Sequence, residues 1–312
     1  MGLVLVALAA LPAGAHDRPP VERDTWYLPT ADHVAQLFVE ELGPRSAPPV
    51  IVLHGGWGAE HSYLDDVVLP QVGPAHRFVL YDQRGSLLSP VPDTSSLSVR
   101  QQIEDLELLR ETLGEERLTI FAHSQGTYLA LAYAQAHPDH VRSLILTGTV
   151  VGKSPEGGDD AYMAQTTATA HELIARTAVQ REMERVRSTE PDGPRRATHL
   201  WRIQFAAVNL FHVERWRGMP GGRAFYNQAS ADAISATQPR IHDFEPLLLS
   251  GRFAVSLING DHDYLDPGER YWRGMVARDP RLHLTVLRDA EHSAWIDAPA
   301  SFQSAFAAAL AR

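Results

Sequence analysis

The chain has 312 residues, 44% of them hydrophobic and 21% charged, which is ordinary globular composition and excludes disorder over its whole length. Its 28 basic and 38 acidic residues give a formal charge of −10, which argues against a nucleic-acid partner, because phosphate contacts need a basic face. There is no cysteine, which excludes disulfides, thiolate nucleophiles and cysteine-ligated metals, and Lys153 alone could serve Ser–Lys or Schiff-base chemistry.

Residues 2–11 form an apolar run that is shorter than the roughly 20 residues of a membrane span. Ala13 and Ala15 follow it in a small-residue cleavage pattern. Together they predict a signal peptide at 1–15 and a secreted or periplasmic protein; an uncut run would instead mean a cytoplasmic one with a buried N-terminal helix. No later apolar run is long enough to span, so no stable membrane insertion is expected after cleavage.

Strand-like runs come next at 26–28 and 34–41. Short apolar, β-branched runs then recur at 50–53, 78–81, 118–121, 143–146, 255–258 and 283–287, as buried parallel strands do. Helical patterns separate them. Residues 98–113 carry Ile103, Leu106, Leu109 and Leu113 on one stripe, with Gly114 as the stop. Further helices are expected at 125–136 and 300–310. The alternation predicts a parallel α/β sheet. It breaks between about 152 and 250, where the loop signals Gly157-Gly158-Asp159-Asp160 and Pro191-Asp192-Gly193-Pro194 punctuate helical patterns at 171–188 and 196–216. Trp201, Phe205, Phe211, Trp216, Phe225 and Tyr226 concentrate there, as core or as pocket wall.

Four features carry chemistry. The first is Ala122-His123-Ser124-Gln125-Gly126, between an expected strand and an expected helix. A serine on such an elbow exposes its hydroxyl, and the N–H of Gln125 faces a developing oxyanion. Small residues two before and two after the serine let strand and helix approach, and Ala122 and Gly126 fit. A hydroxyl needs a base, and the base an orienting acid. Asp263, in the loop after the 255–258 run, is the favoured acid, with Asp261 and Asp266 as competitors. His292, in the loop after 283–287, is the favoured base, since ligands bind at strand carboxyl ends in open α/β sheets; His283 lies inside the strand and reads as structural. The fourth feature is His54-Gly55-Gly56-Trp57-Gly58, whose Gly56 N–H is the candidate second oxyanion donor, with Trp57 next. This loop lacks the lysine of a phosphate-binding G-x-x-x-x-G-K motif. His171-Glu172 has Ala175 where a zinc H-E-x-x-H needs its second histidine, and Asp266 stands where a calcium loop needs glycine. Asp82 and Arg84 read as buttresses of the loops beside the elbow.

These residues resemble the α/β-hydrolase superfamily, and two segments narrow the likeness. His54-Gly55-Gly56-Trp57-Gly58 resembles the H-G-G-P-G loop of the proline iminopeptidase family, and Tyr81-Asp82-Gln83-Arg84-Gly85-Ser86-Leu87-Leu88-Ser89 its D-Q-R-G-x-G-x-S segment. Glu291-His292-Ser293-Ala294 is similar to its G-H-S-A ending. Trp57 replaces the loop's proline, and Gln125 stands where that family usually has tryptophan. The resemblance implies a mostly parallel, doubly wound sheet built from 26–150 and 251–312, with a helical cap inserted at 151–250. It implies a serine hydrolase that cleaves a small ester or amide through an acyl-enzyme, with Ser124, Asp263 and His292 as the triad and Gly56 and Gln125 as oxyanion donors. An aminopeptidase of the proline iminopeptidase kind is the first reading. A carboxylesterase or lactonase with an apolar acyl pocket is the alternative, and a non-catalytic binding protein on the same fold is a third. That family grips the substrate's amino group with acidic residues near a tryptophan of the cap, which makes Glu214 and Trp216, with Trp57, the expected substrate contacts. An acidic anchor in the cap favours the peptidase; an apolar pocket without one favours the esterase. The expected partner is a small molecule or short peptide, no cofactor or metal is implied, and the oligomeric state stays open.

Overall fold

The computed structural model describes residues 21–219 and 226–312, so the expected leader at 1–15 and Phe225 lie outside the described residues. Eight strands form one sheet: β1 (Arg23–Pro29), β2 (Gln36–Leu42), β3 (Pro49–Leu53), β4 (Arg77–Tyr81), β5 (Leu118–His123), β6 (Val141–Thr147), β7 (Ala254–Gly260) and β8 (Leu282–Leu287). Their order is β1-β2-β4-β3-β5-β6-β7-β8. β1 and β2 pair antiparallel, as do β2 and β4, and every pairing from β4 to β8 is parallel.

The apolar runs become strands because both of their faces are covered. In β3, Ile51 and Leu53 face one layer while Val50 and Val52 face the other. The first layer holds α1 (Val99–Leu113), α2 (Gln125–Ala136) and α7 (Arg270–Arg278); the second holds α8 (Pro299–Leu310), whose Phe306 packs on Phe78 and Phe121 with Phe302 beside it. α1 starts where the Ser98 hydroxyl accepts the Gln101 N–H at 3.1 Å and stops where Gly114 turns left-handed at φ 72°. The sheet and its two helical layers match the fold class anticipated from the sequence.

Between β6 and β7 come α3 (Gly158–Ala175), α4 (Thr177–Thr189), α5 (Pro194–Asn209) and α6 (Gln228–Ser235). Here three expectations need correction. Residues 157–160 are not all loop, since α3 begins at Gly158. The helix expected at 171–188 is broken at Arg176, which leaves helical geometry at ψ 140° and turns its guanidinium to the carbonyls of Ala207 and Leu210. The helix expected at 196–216 ends at Asn209 and resumes as a 3₁₀ segment, Val213–Gly218. These helices have their own core, with Val179, Met183 and Val186 of α4 against Ile203 and Ala206 of α5. No helix among the described residues is long and apolar enough to cross a membrane.

Candidate active site

Ser124 sits between the last residue of β5 and the first of α2, with φ 55° and ψ −127°. That left-handed φ is costly for a residue with a Cβ. It is held because the Ser124 N–H donates to the Thr147 carbonyl at 3.0 Å, and its own carbonyl accepts from the Thr127 N–H at 2.8 Å and the Thr127 hydroxyl at 2.6 Å. The packing admits only glycine beside it: a Cβ at Gly126 would lie 2.6 Å from the backbone oxygens of Leu53 and His54.

The loops after β7 and β8 converge on this serine. His292 Nε2 stands 2.8 Å from Ser124 Oγ. His292 Nδ1 faces Asp263 Oδ1 at 3.0 Å and Oδ2 at 3.2 Å, and Asp263 is 1% exposed. Asp263 Oδ1 also accepts the Leu265 N–H at 3.0 Å, which fixes its rotamer. The competitors do other things. Asp266 accepts the N–H groups of Tyr271 and Trp272 at the start of α7, and Asp261 accepts the Ala290 N–H. His283 is exposed on the edge strand β8.

The glycine-rich loop after β3 presses on the elbow, where a Cβ on Gly55 would lie 2.6 Å from Ser124 Cβ. The Gly55 N–H donates to Tyr63 Oη at 2.6 Å, and Tyr63 Oη stands 2.7 Å from His123 Nδ1. Burial, with the nearby His292, holds His123 well below the usual imidazole range, so it is neutral and its Nδ1 accepts a hydrogen bond from the Tyr63 hydroxyl. This chain commits Gly55 and leaves Gly56, at φ 72°, facing the cavity beside Ser124. Gln125 opens α2, so its N–H has no intrahelical acceptor. Sequence reasoning missed Tyr63 and gave His123 no part; only their return to the loop and the elbow in three dimensions shows the link.

Asp82 and Arg84 stand behind these loops. Arg84 is bidentate to Asp105 at 2.7 and 2.8 Å and reaches Asp32 at 2.6 Å. Asp82 accepts from His61 Nδ1 at 2.6 Å and the Leu88 N–H at 2.7 Å. Burial opposes charge on His61, but the carboxylates of Asp82 and Glu40 outweigh it and raise the imidazole to about 10. Two further buried carboxyls hold their protons more tightly: burial, reinforced by the charge of Asp263, pushes Glu269 up to about 9 and Glu291 well above the usual carboxyl range. Among the described residues, Glu107–His137–His140, Glu40–His61–Asp65 and Glu60–His61–Asp82 bring potential metal-ligand atoms together. Both nitrogens of His61 are committed to carboxylates, and Glu107 is held by Arg110 and Tyr133, so none offers a free ligand set.

Ser124 opens onto two cavities. One, of about 430 Å³, is walled by Tyr63, Trp201, Phe205, Tyr226, Tyr264 and Trp295. The other, of about 300 Å³, includes Gln125, Tyr162, Thr166 and Gln238. The three expected substrate contacts lie elsewhere. Trp57 is buried and donates to Gln238 at 3.3 Å while meeting Tyr128 edge-on. Trp216 is in the core of the inserted helices, bonded to Glu182 and flanked by Arg202 and Arg217. Glu214 points outward and pairs with His212.

The family model described as alpha/beta hydrolase fold matches residues 48–299. A probable proline iminopeptidase of Streptomyces coelicolor is 37% identical over 131 residues, which cover 38% of each chain. A proline iminopeptidase of Xylella fastidiosa is 38% identical over 115 residues, 36% of each chain. The match thus spans well under half the length of these curated relatives. The crystal structure of a proline iminopeptidase-related protein from Thermus thermophilus superposes with a TM-score of 0.67 at 27% identity, covering 93% of this chain and 98% of that one.

Proposed function

We propose that this chain, which belongs to the alpha/beta hydrolase fold family, is a serine hydrolase that cleaves a small amide or ester through an acyl-enzyme. The observation that carries the reading is the hydrogen-bonded run from Ser124 through His292 to the buried Asp263. Ser124 Oγ attacks the substrate carbonyl as His292 Nε2 takes its proton, and Asp263 holds the imidazole and balances the imidazolium. The N–H groups of Gln125 and Gly56 receive the oxyanion. The imidazolium returns the proton to the departing amine or alcohol. Water, deprotonated by His292, then attacks the acyl carbonyl, and Ser124 leaves with the proton.

Within this chemistry, aminopeptidase action of the proline iminopeptidase kind is the first reading, supported by the named relatives and by Asp82-Gln83-Arg84-Gly85 beside the elbow. The apolar, aromatic walls of the larger cavity favour the second, a carboxylesterase or lactonase. The helical insertion at 151–250 acts as the cap, since Trp201, Phe205 and Tyr226 wall that cavity. The proposal includes export, on the apolar run 2–11 and the Ala13-x-Ala15 pattern. The deciding experiment compares hydrolysis of prolyl 4-nitroanilide and 4-nitrophenyl butyrate by the purified protein and by Ser124→Ala. Serine-dependent cleavage of the anilide is expected. Cleavage of the ester alone selects the second reading, absent cleavage of both favours a binding protein on this fold, and cleavage that persists in Ser124→Ala refutes the Ser124 mechanism.

A further inference from the structure

The larger cavity contains a carboxylate that the inserted helices do not supply. Glu60 lines it together with Gly55, Gly56 and Ser124, and comes from the glycine-rich loop after β3. It is 5% exposed. Its oxygens accept the Ser62 N–H at 2.7 Å and the Ser62 hydroxyl at 3.0 Å. Those bonds fix the side chain but do not saturate it, because a carboxylate has about four acceptor sites.

Its charge is matched from within only by the nearby His61 imidazolium, which Asp82 and Glu40 already share. Glu60, His61 and Asp82 bring their polar atoms within 4.8 Å of one another. However, His61 spends its nitrogens on Asp82 at 2.6 Å and Glu40 at 3.2 Å. No arginine or lysine lines the cavity among the described residues. A carboxylate removed from water among apolar walls favours a cationic visitor, and lining aromatic residues such as Tyr63, Trp201 and Trp295 are compatible surroundings for an ammonium. Meanwhile Glu214, the anchor anticipated in the cap, is outside the cavity and engaged with His212.

We infer that Glu60 is the receptor for a protonated amine of the substrate, held from the oxyanion loop rather than from the cap, so that the substrate is an amino- or imino-acyl compound with a compact apolar side chain. The inference rests on the hydrolase reading above, since the amine is placed relative to a carbonyl at Ser124.

The test uses the full chain and a pair of substrates that differ only in the charged group: prolyl 4-nitroanilide and its carbocyclic counterpart, cyclopentanecarbonyl 4-nitroanilide. The wild type should prefer the prolyl compound in kcat/KM. Glu60→Gln, which keeps shape and removes charge, should lower that preference by about 10- to 100-fold, the weight of a charge-assisted hydrogen bond. Glu60→Asp should restore part of it. A preference unchanged in Glu60→Gln, or equal loss on both anilides, would overturn the assignment while leaving the aminopeptidase reading intact. A wild type that does not prefer the prolyl compound overturns both together, and a Ser124→Ala variant as active as wild type fails the hydrolase reading itself.

Discussion

Replacing Asp263 by asparagine changes one atom and tests the electrostatic core of the site. Asp263 is 1% exposed, and its oxygens lie 3.0 and 3.2 Å from His292 Nδ1. In the proposed reaction His292 takes the Ser124 proton, and the new positive charge would face this carboxylate. At about 3–4 Å and an effective dielectric near 20, their attraction is roughly 4–5.5 kcal/mol. At about 1.36 kcal/mol per decade, its loss slows the reaction by about 1,000- to 10,000-fold. The asparagine oxygen can still accept the Leu265 N–H, so the loop should stay folded. Its amide also favours the imidazole tautomer that puts the proton on Nε2, where it cannot accept from Ser124. The assay is kcat/KM on a 4-nitrophenyl ester, with thermal melting as the control for folding and Asp261→Asn as the control for charge. The fall should be in kcat, with melting close to wild type and Asp261→Asn little changed. An Asp263→Asn protein within tenfold of wild type, or an equal fall in Asp261→Asn, would refute the reasoning.

Other outcomes follow from the same geometry. Tyr63→Phe removes the acceptor of the Gly55 N–H and the donor to His123 Nδ1, so the glycine-rich loop loses its tether to the elbow. We expect kcat to fall by about tenfold with KM little changed, and affinity for an alkyl boronate, which mimics the tetrahedral state, to fall in parallel. Burial, together with the charges of Asp263 and Asp266, raises Glu269 from its ordinary value of 4.5 to about 9. Between those pH values the folded protein holds a proton that the unfolded chain has released. Its contribution is therefore fully present below pH 4.5 and is lost as pH rises toward about 9. Glu269→Gln should flatten the decline of melting temperature over that range, and a slope identical to wild type would contradict the shift.

Much of this was legible because some signals are local. Val50–Leu53 reads as a buried strand from its residues alone, and Ser98 and Gly114 bracket α1 by capping chemistry that acts within a turn. The order Ser124, Asp263, His292 was legible too, because each follows a short apolar run and parallel strands deliver their carboxyl ends to one edge. The inserted helices were harder. The break at Arg176 depends on carbonyls at Ala207 and Leu210, far along the chain. Trp216 looks like a pocket residue in sequence, yet Glu182, Arg202 and Arg217 draw it into a core. Glu60 and Tyr63 sit in an unremarkable polar stretch, and their place beside Ser124 follows from how the loop after β3 folds back on the elbow.

The most direct measurement is the mass of the intact protein, acid-quenched within the first turnover of 4-nitrophenyl butyrate, followed by peptide mapping. The account predicts the increment of one butyryl group on the peptide containing Ser124, absent from Ser124→Ala and accumulated for longer in His292→Ala if any forms. Turnover of the ester with no acyl group on Ser124, or an increment that persists in Ser124→Ala, would contradict it.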